Sequence, residues 1–175
     1  MHNNSHAKLA GLPLFRRERM HIVSCHDRFS VHQFRVLVFD SGVGGLTVAE
    51  EIRALGPALG VHYAADSDFF PYGDKSDEAL RERLPRVAKM LCDHVRPDVF
   101  VIACNTASTL ALAEIRDVLD IPVVGTVPAI KPAAAFSQTG TIGLLATPGT
   151  IRRAYTARLI NEFASGHRVI MHGSI

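Results

Sequence analysis

Val99-Phe100-Val101-Ile102-Ala103-Cys104-Asn105-Thr106-Ala107-Ser108 is an apolar run that passes without a break into small polar residues. Four consecutive apolar residues rich in valine, isoleucine and phenylalanine read as a strand buried on both faces. A helix-like segment over 106–119 follows. Cys104 therefore stands where a buried strand ends and a helix begins. Helix N-termini favour anions, so the expectation here is a thiol with a depressed pKa. Asn105, Thr106 and Ser108 surround it with neutral hydrogen-bonding groups. That setting suits a thiol used as a base or nucleophile better than one used for packing.

The same layout recurs in both directions along the chain. Further strands are predicted at 36–39, 61–65, 121–125, 141–146 and from 169, with helices over 46–55, 76–95, 129–136 and 151–163. Ser76 and Asp77 are good helix-start residues, and Pro85 is expected to kink or break the helix they open. Alternating strands and helices define an α/β fold with a largely parallel sheet. Such sheets bind ligands beyond the carboxyl ends of their strands. There lie Asp40 and Ser41, then Asp66, then Cys104, Asn105 and Thr106, then Thr147 and Thr150. The strand–small polar–glycine layout of 36–42 is echoed at 142–150, which points to the start of a second, related lobe.

The chain has 175 residues, is 47% apolar and 21% charged, and carries a net charge of +2. That composition excludes a disordered chain, and so small a charge gives no footprint for nucleic acid. No apolar run reaches membrane-spanning length, and no secretory leader is legible. Three widely spaced cysteines, Cys25, Cys92 and Cys104, argue against a disulfide framework and fit a reducing cytoplasm. The basic excess lies in residues 1–34, which lack an apolar period and are read as a flexible extension. Cys25-His26 lies there, but without paired ligand spacing no metal site is expected.

Asp40-Ser41-Gly42-Val43-Gly44-Gly45 is a glycine-rich turn between strand and helix. Its N–H groups could hold phosphate or carboxylate, yet it is neither GxGxxG nor a P-loop. Its alternatives are a tight turn capped by Asp40 and an aspartate facing a substrate amine. Phe70-Pro71-Tyr72-Gly73 reads equally as a turn with an aromatic lid or as a ligand-holding loop. Cys92 falls among the helix residues Leu84, Val87, Ala88, Leu91 and Val95 and is read as a small buried hydrophobe. His62 and His94 are read as surface or packing residues. Nothing around Lys131 suggests a Schiff-base pocket.

With these motifs in order, the chain resembles the bacterial glutamate racemases. Residues 36–46 are similar to that family's opening motif. Pro71-Tyr72-Gly73, residues 103–108, Pro128-Ala129-Ile130-Lys131-Pro132 and Ala146-Thr147-Pro148-Gly149-Thr150 are similar to further motifs in the family's order. The resemblance spans about residues 35–175. It implies a cofactor-independent interconversion of L- and D-glutamate, the D-isomer entering peptidoglycan. It also implies Rossmann-like lobes with the site between them: a first lobe over 35–128 and the start of a second, incomplete one over 129–175. Carried over motif by motif, Cys104 is one of two catalytic thiols and Asp40 assists it. Asp40, Ser41, Tyr72, Gly73, Asn105, Thr106 and Thr147 contact substrate. Such inversion needs a base on one face of the α-carbon and an acid on the other.

The family's second thiol stands in a later Gly-Cys-Thr-His motif that does not occur in this sequence. Turnover by this chain alone is therefore not expected to match a two-thiol enzyme. An incomplete lobe with exposed strand edges invites association, a homodimer being a candidate assembly, with no membrane insertion. Two rival readings stand beside the racemase: an aspartate-type racemase of the same superfamily, and a non-catalytic remnant that binds glutamate or a partner.

Overall fold

Five strands form the main sheet of the computed structural model, which describes residues 21–24 and 33–174. They are β1 (His21–Ser24), β2 (Arg35–Asp40), β3 (Gly60–Ala65), β4 (Val99–Ile102) and β5 (Val123–Gly125), in the order β1-β3-β2-β4-β5. β2 to β5 are parallel, and β1 alone runs antiparallel on the outer side of β3. The central strand β2 is apolar throughout its middle, Val36 to Phe39, because alternate side chains meet opposite layers. Val36 and Val38 pack with Val61, Tyr63, Val101 and Ala49 beneath α1 (Leu46–Leu55). Leu37 and Phe39 face the other way, onto Phe100, Ile102 and the apolar stripes of α2 (Asp77–Val95) and α3 (Asn105–Val118).

α2 starts where the sequence places it. The Ser76 hydroxyl accepts the Ala79 N–H at 3.2 Å, and Asp77 and Glu78 follow in the first turn. It ends at Arg96, whose left-handed backbone (φ 50°) lets its N–H close on the Cys92 carbonyl. Of the kink or break expected at Pro85, the break does not occur, since the helix continues through it to Val95. Leu80, Leu84, Leu91 and Val95, on both sides of the proline, are fixed to one face of the sheet. Their burial, at about 1.5–3 kcal/mol each, outweighs the proline penalty of roughly 3 kcal/mol.

The second sheet is a parallel pair, β6 (Thr141–Ala146) with β7 (Arg168–Gly173). α4 (Ile130–Phe136), α5 (Pro148–Arg152) and α6 (Ala154–Phe163) accompany it. Its core is small: Ile130, Ile142 and Ala164, with Leu144, Leu159, Phe163 and Val169 partly buried around them. Leu145, Ile170 and Met171 of the same sheet remain exposed. The single helix expected over 151–163 is instead two. It begins earlier, at Pro148, and breaks at Arg153, whose backbone is extended (φ −72°, ψ 140°). α5 packs against α3 of the first lobe as well as α6 and β7 of its own.

The extension over 1–34 also differs from expectation in part. His21–Ser24 pairs along β3, with Ile22 opposite Ala64, and so covers that sheet edge. The short polar-flanked stretch carries no period that would mark it as a strand. Residues 1–20 and 25–32, including Cys25 and His26, lie outside the described residues.

Leu84→Ala removes a fully buried anchor of α2 and should lower unfolding stability by about 2–5 kcal/mol. Leu145→Ala, at a position 71% exposed, should change it by less than about 0.5 kcal/mol. Urea denaturation of the two variants checks both; equal losses would contradict this distribution of the core.

Candidate functional site

Strand register sets the site. Asp40 pairs with Ala65, and Phe39 with Ile102, so β2, β3 and β4 end level with one another. Asp40, Asp66 and Cys104 therefore come off neighbouring strand ends. The Asp40 carboxylate turns back on its own loop. One oxygen accepts the Ser41 N–H at 2.7 Å and the other the Gly45 N–H at 2.8 Å. The capped-turn reading thus describes this loop, and two of its N–H groups are already engaged. Gly45 has no room for a side chain: a Cβ there would lie 2.7 Å from Ala103 Cβ and 3.0 Å from Asp40 Cβ. This close approach brings the turn against the Cys104 segment. The Tyr63 hydroxyl holds the turn from the other side by donating to the Gly42 carbonyl at 2.8 Å.

Cys104 is the N-cap residue of α3 and is buried. Its Sγ lies 3.6 Å from Ser41 Oγ, which is in turn 3.4 Å from Asp40 Oδ1. The three groups form a line of carboxylate, hydroxyl and thiol. The expectation of a depressed thiol pKa is corrected here, because burial pushes the Cys104 thiol up. The Ala107 N–H and the Ser41 hydroxyl and N–H favour the thiolate, while the Asp40 charge opposes it. Loss of water outweighs those hydrogen bonds and the field of the helix N-terminus. At neutral pH the free site therefore holds a thiol.

Thr106 and Thr147 bring the lobes together. Their hydroxyls lie 3.3 Å apart, and Thr147 Oγ1 is 3.0 Å from Thr150 Oγ1. Thr147 also caps α5, accepting the Thr150 N–H at 3.4 Å. A Cβ at Gly73 would sit 3.1 Å from Thr147 Cγ2, so only glycine lets the Pro71-Tyr72-Gly73 loop close on that threonine without displacement. Asn105 is exposed and lines an open cleft of about 380 Å3 with Ala129, Leu144, Ala146 and Thr150. Asp40, Ser41, Cys104, Thr106, Thr147 and Gly73 are thus gathered at one edge, with Asn105 at the cleft beside it.

Tyr72 is placed differently from a residue lining an open pocket. It is 2% exposed, and its hydroxyl donates to Asp66 Oδ2 at 2.6 Å. Arg83 of α2 forks onto the same carboxylate, Nε to Oδ2 at 2.7 Å and Nη2 to Oδ1 at 2.8 Å. Its guanidinium also lies over the Phe69 ring. Burial, then the Asp66 charge, holds the Tyr72 phenol well above its ordinary range. Tyr72 therefore works as a neutral donor. Arg83 is absent from the sequence reading. Its signal is its spacing, three residues after Leu80 and adjacent to Leu84, which sets a charge at the rim of a buried stripe.

Cys92 is half-buried, and burial pushes its thiol up to about 12, in keeping with a packing role. His94 is exposed on α2. The Lys131 ammonium rests over the Phe163 ring, 5.2 Å from its centre. Among the described residues no group of three or more His, Cys, Asp or Glu side chains is placed to hold a metal ion. No helix among them is long and apolar enough to cross a membrane.

A parallel α/β sheet with a capped glycine turn, a buried thiol at the next strand end and a second small parallel sheet reached through paired threonines defines an α/β protein with its polar groups gathered at the strand ends. The model of the Asp/Glu/Hydantoin racemase family matches residues 47–172, and the chain belongs to that family. It is 50% identical over 139 residues to the glutamate racemase of Sphingopyxis alaskensis, covering 79% of this chain and 52% of that protein. It is 51% identical to a glutamate racemase of Escherichia coli, covering 79% and 49%. The chain spans about half the length of the curated relatives it matches. Among solved structures it is similar to Escherichia coli glutamate racemase in complex with L-glutamate and the activator UDP-MurNAc-ala (TM-score 0.77, 49% identity, 81% of this chain and 53% of that one). It is also similar to the glutamate racemase of Aquifex pyrophilus (TM-score 0.72, 33% identity, covering 80% and 55%).

Two outcomes follow from the geometry. In a Cys25→Ser, Cys92→Ser background, alkylation of Cys104 should rise with pH to a midpoint above the ordinary thiol value of 9.0, because the reactive form is the thiolate. A midpoint below that value would contradict the burial effect. Arg83→Met leaves the fully buried Asp66 charge with the Tyr72 hydroxyl and should cost about 3–5 kcal/mol. Chemical denaturation reads it, and a loss under about 1 kcal/mol would show that the pair is solvent-screened.

Proposed function

We propose that this chain carries the first-lobe half of a glutamate racemase site, with Cys104 as the base. The observation that carries this reading is the line Asp40–Ser41–Cys104, with sulfur and carboxylate joined through one hydroxyl at 3.6 Å and 3.4 Å. Removal of the α-proton of an amino acid needs a strong base, and a thiolate whose pKa is raised is a stronger one. Ser41 Oγ can accept from the thiol while donating to Asp40, or donate to the thiolate once it forms. In this reading it holds the sulfur in both states. The negative charge of Asp40 and the ammonium of an entering amino acid attract each other. Pairing would weaken Asp40's opposition to the thiolate.

The negative charge that develops on the substrate carboxylate as the α-proton leaves would be met by neutral donors. Thr106 and Thr147, 3.3 Å apart, and Asn105 at the cleft supply them. Tyr72 and Gly73 keep the loop in place: Tyr72 through Asp66, Gly73 by its close approach to Thr147. The reading requires no cofactor. The glutamate specificity is carried over from the relatives, including the Escherichia coli structure with L-glutamate bound. A cytoplasmic role in supplying D-glutamate for peptidoglycan, and a homodimeric assembly, belong to the same proposal. This sequence lacks the Gly-Cys-Thr-His motif, so Cys104 is the only thiol here that the reading uses. The expected activity is exchange of the α-proton with solvent.

The test is incubation of the folded chain with each glutamate enantiomer in D2O, following the Cα proton by NMR. Exchange with one enantiomer, lost in Cys104→Ser, supports the assignment. Absence of exchange with both enantiomers overturns catalysis by this chain. Retained glutamate binding, unchanged in Cys104→Ser, would then favour the non-catalytic remnant. Faster exchange with aspartate would favour the aspartate-type racemase.

A further inference from the structure

Arg153 occupies an unusual place. It is the extended residue that separates α5 from α6, and its side chain leaves both helices to reach the first lobe. Nη1 donates to the Thr106 carbonyl at 3.2 Å and to Thr109 Oγ1 at 3.1 Å. Nη2 donates to Asp77 Oδ1 at 2.9 Å, at the start of α2. The side chain is only 10% exposed, and its Nε is buried without a partner. An orphaned buried donor is unfavourable, so the three terminal bonds must hold the group in place. Gly149 leaves the passage open: a Cβ there would come within 3.1 Å of Nη2.

The contacts converge on the first turn of α3. Thr109 Oγ1, which accepts from Arg153, itself donates to the Asn105 carbonyl at 2.8 Å. The guanidinium therefore braces the turn that presents Asn105 and Thr106 and follows Cys104. On the other side, Arg153 adjoins α5, whose cap Thr147 meets Thr106. We propose that Arg153 is a positioning residue: it latches the second lobe to the first turn of α3 and thereby sets the Thr106–Thr147 pair. A planar fork can address three acceptors on two elements at once; a lysine ammonium in the same place is a single point donor. The Asp77 contact, on a side chain 52% exposed, is the weak arm of the latch.

The latch is tested by amide hydrogen exchange on the full chain. The Ser108 and Ile151 N–H groups are hydrogen-bonded to the Cys104 and Thr147 carbonyls, and the Phe100 N–H, bonded to the Pro122 carbonyl, is the control in the main sheet. In Arg153→Met, protection at Ser108 and Ile151 should fall together by roughly tenfold while Phe100 is unchanged, since local opening is separable from global unfolding. Arg153→Lys should recover part of it, and Asp77→Asn should stay near wild type. Unchanged protection at Ser108, or a uniform fall that includes Phe100, overturns the latch.

The proposal's link to substrate rests on the glutamate reading and is tested separately. Glutamate affinity is measured for Arg153→Met, Thr147→Val and the double variant. Arg153 acting through Thr147 predicts that the double variant loses no more than the worse single one, a departure from additivity of roughly threefold or more. Additive losses overturn that link. Absence of glutamate binding by the wild-type chain refutes the functional reading and leaves the latch to be decided by hydrogen exchange.

Discussion

The Asp40 carboxylate is fixed by two N–H groups of its own turn, and the placement of the site depends on that closure. A strand that ends inside a sheet leaves backbone donors with no ladder partner. Asp40 supplies the acceptors, and the chain can then reverse tightly into α1. The tightness matters because Gly45 sits against Ala103 with no space for a methyl group. Only with the turn pressed against the neighbouring strand end does Ser41 reach Cys104. Gly42 and Gly45 therefore act through close approach, to Phe70 and Ala103, and neither has a positive φ. A nucleotide-binding turn offers its N–H groups outward. Here two of them are satisfied inward, and what the loop presents is a hydroxyl.

The electrostatic setting follows from the same compaction. Cys104 and Asp40 are both buried, and two adjacent negative charges in a dry site repel each other. With Asp40 already committed to backbone N–H groups, the thiol is the group that remains neutral. Asp66 lies nearby without adding a free charge, because Arg83 neutralises it and Tyr72 donates to it. A cationic ligand group entering beside Asp40 would change this balance. Under the proposed reading, occupancy and thiolate formation would therefore be coupled.

Legibility in the sequence tracked the range of the forces involved. The parallel strands and most helices were readable, because buried runs such as 36–39 and 99–102 and the stripe of α2 are local patterns. The glycine turn and the thiol at a strand end are readable for the same reason, whereas α5 and its Thr147 cap are not, the helix being expected only from 151. The extent of α2 across Pro85 is readable, but that the proline does not break it is not, since this depends on what lies beneath the helix. The break at Arg153 and the strand at His21–Ser24 were equally hidden: each exists because of a partner remote in sequence. The thiol pKa was misjudged because helix position is local information and desolvation is not. Arg152 and Arg153 stand side by side with identical chemistry, and only the fold decides that the second turns inward.

The second lobe binds these points together. A parallel pair of strands whose accompanying core has three buried apolar residues has little to hold it alone. It gains order from α5, which packs on α3 and carries the Thr147 cap and the Arg153 junction. The element that packs on α3 is thus also the one that sets Thr147 beside Thr106. The contacts made with α3 at the site are polar, whereas the apolar cluster around Ile130 and Ile142 lies among α4, α6, β6 and β7 themselves. Polar contacts have strict geometry but small net energy, whereas apolar burial is stronger and less directional. The lobe is consequently held by its core and oriented by its hydrogen bonds. On the proposed latch, a change in the orienting contacts would shift Thr147 relative to Thr106 while the apolar cores stay intact.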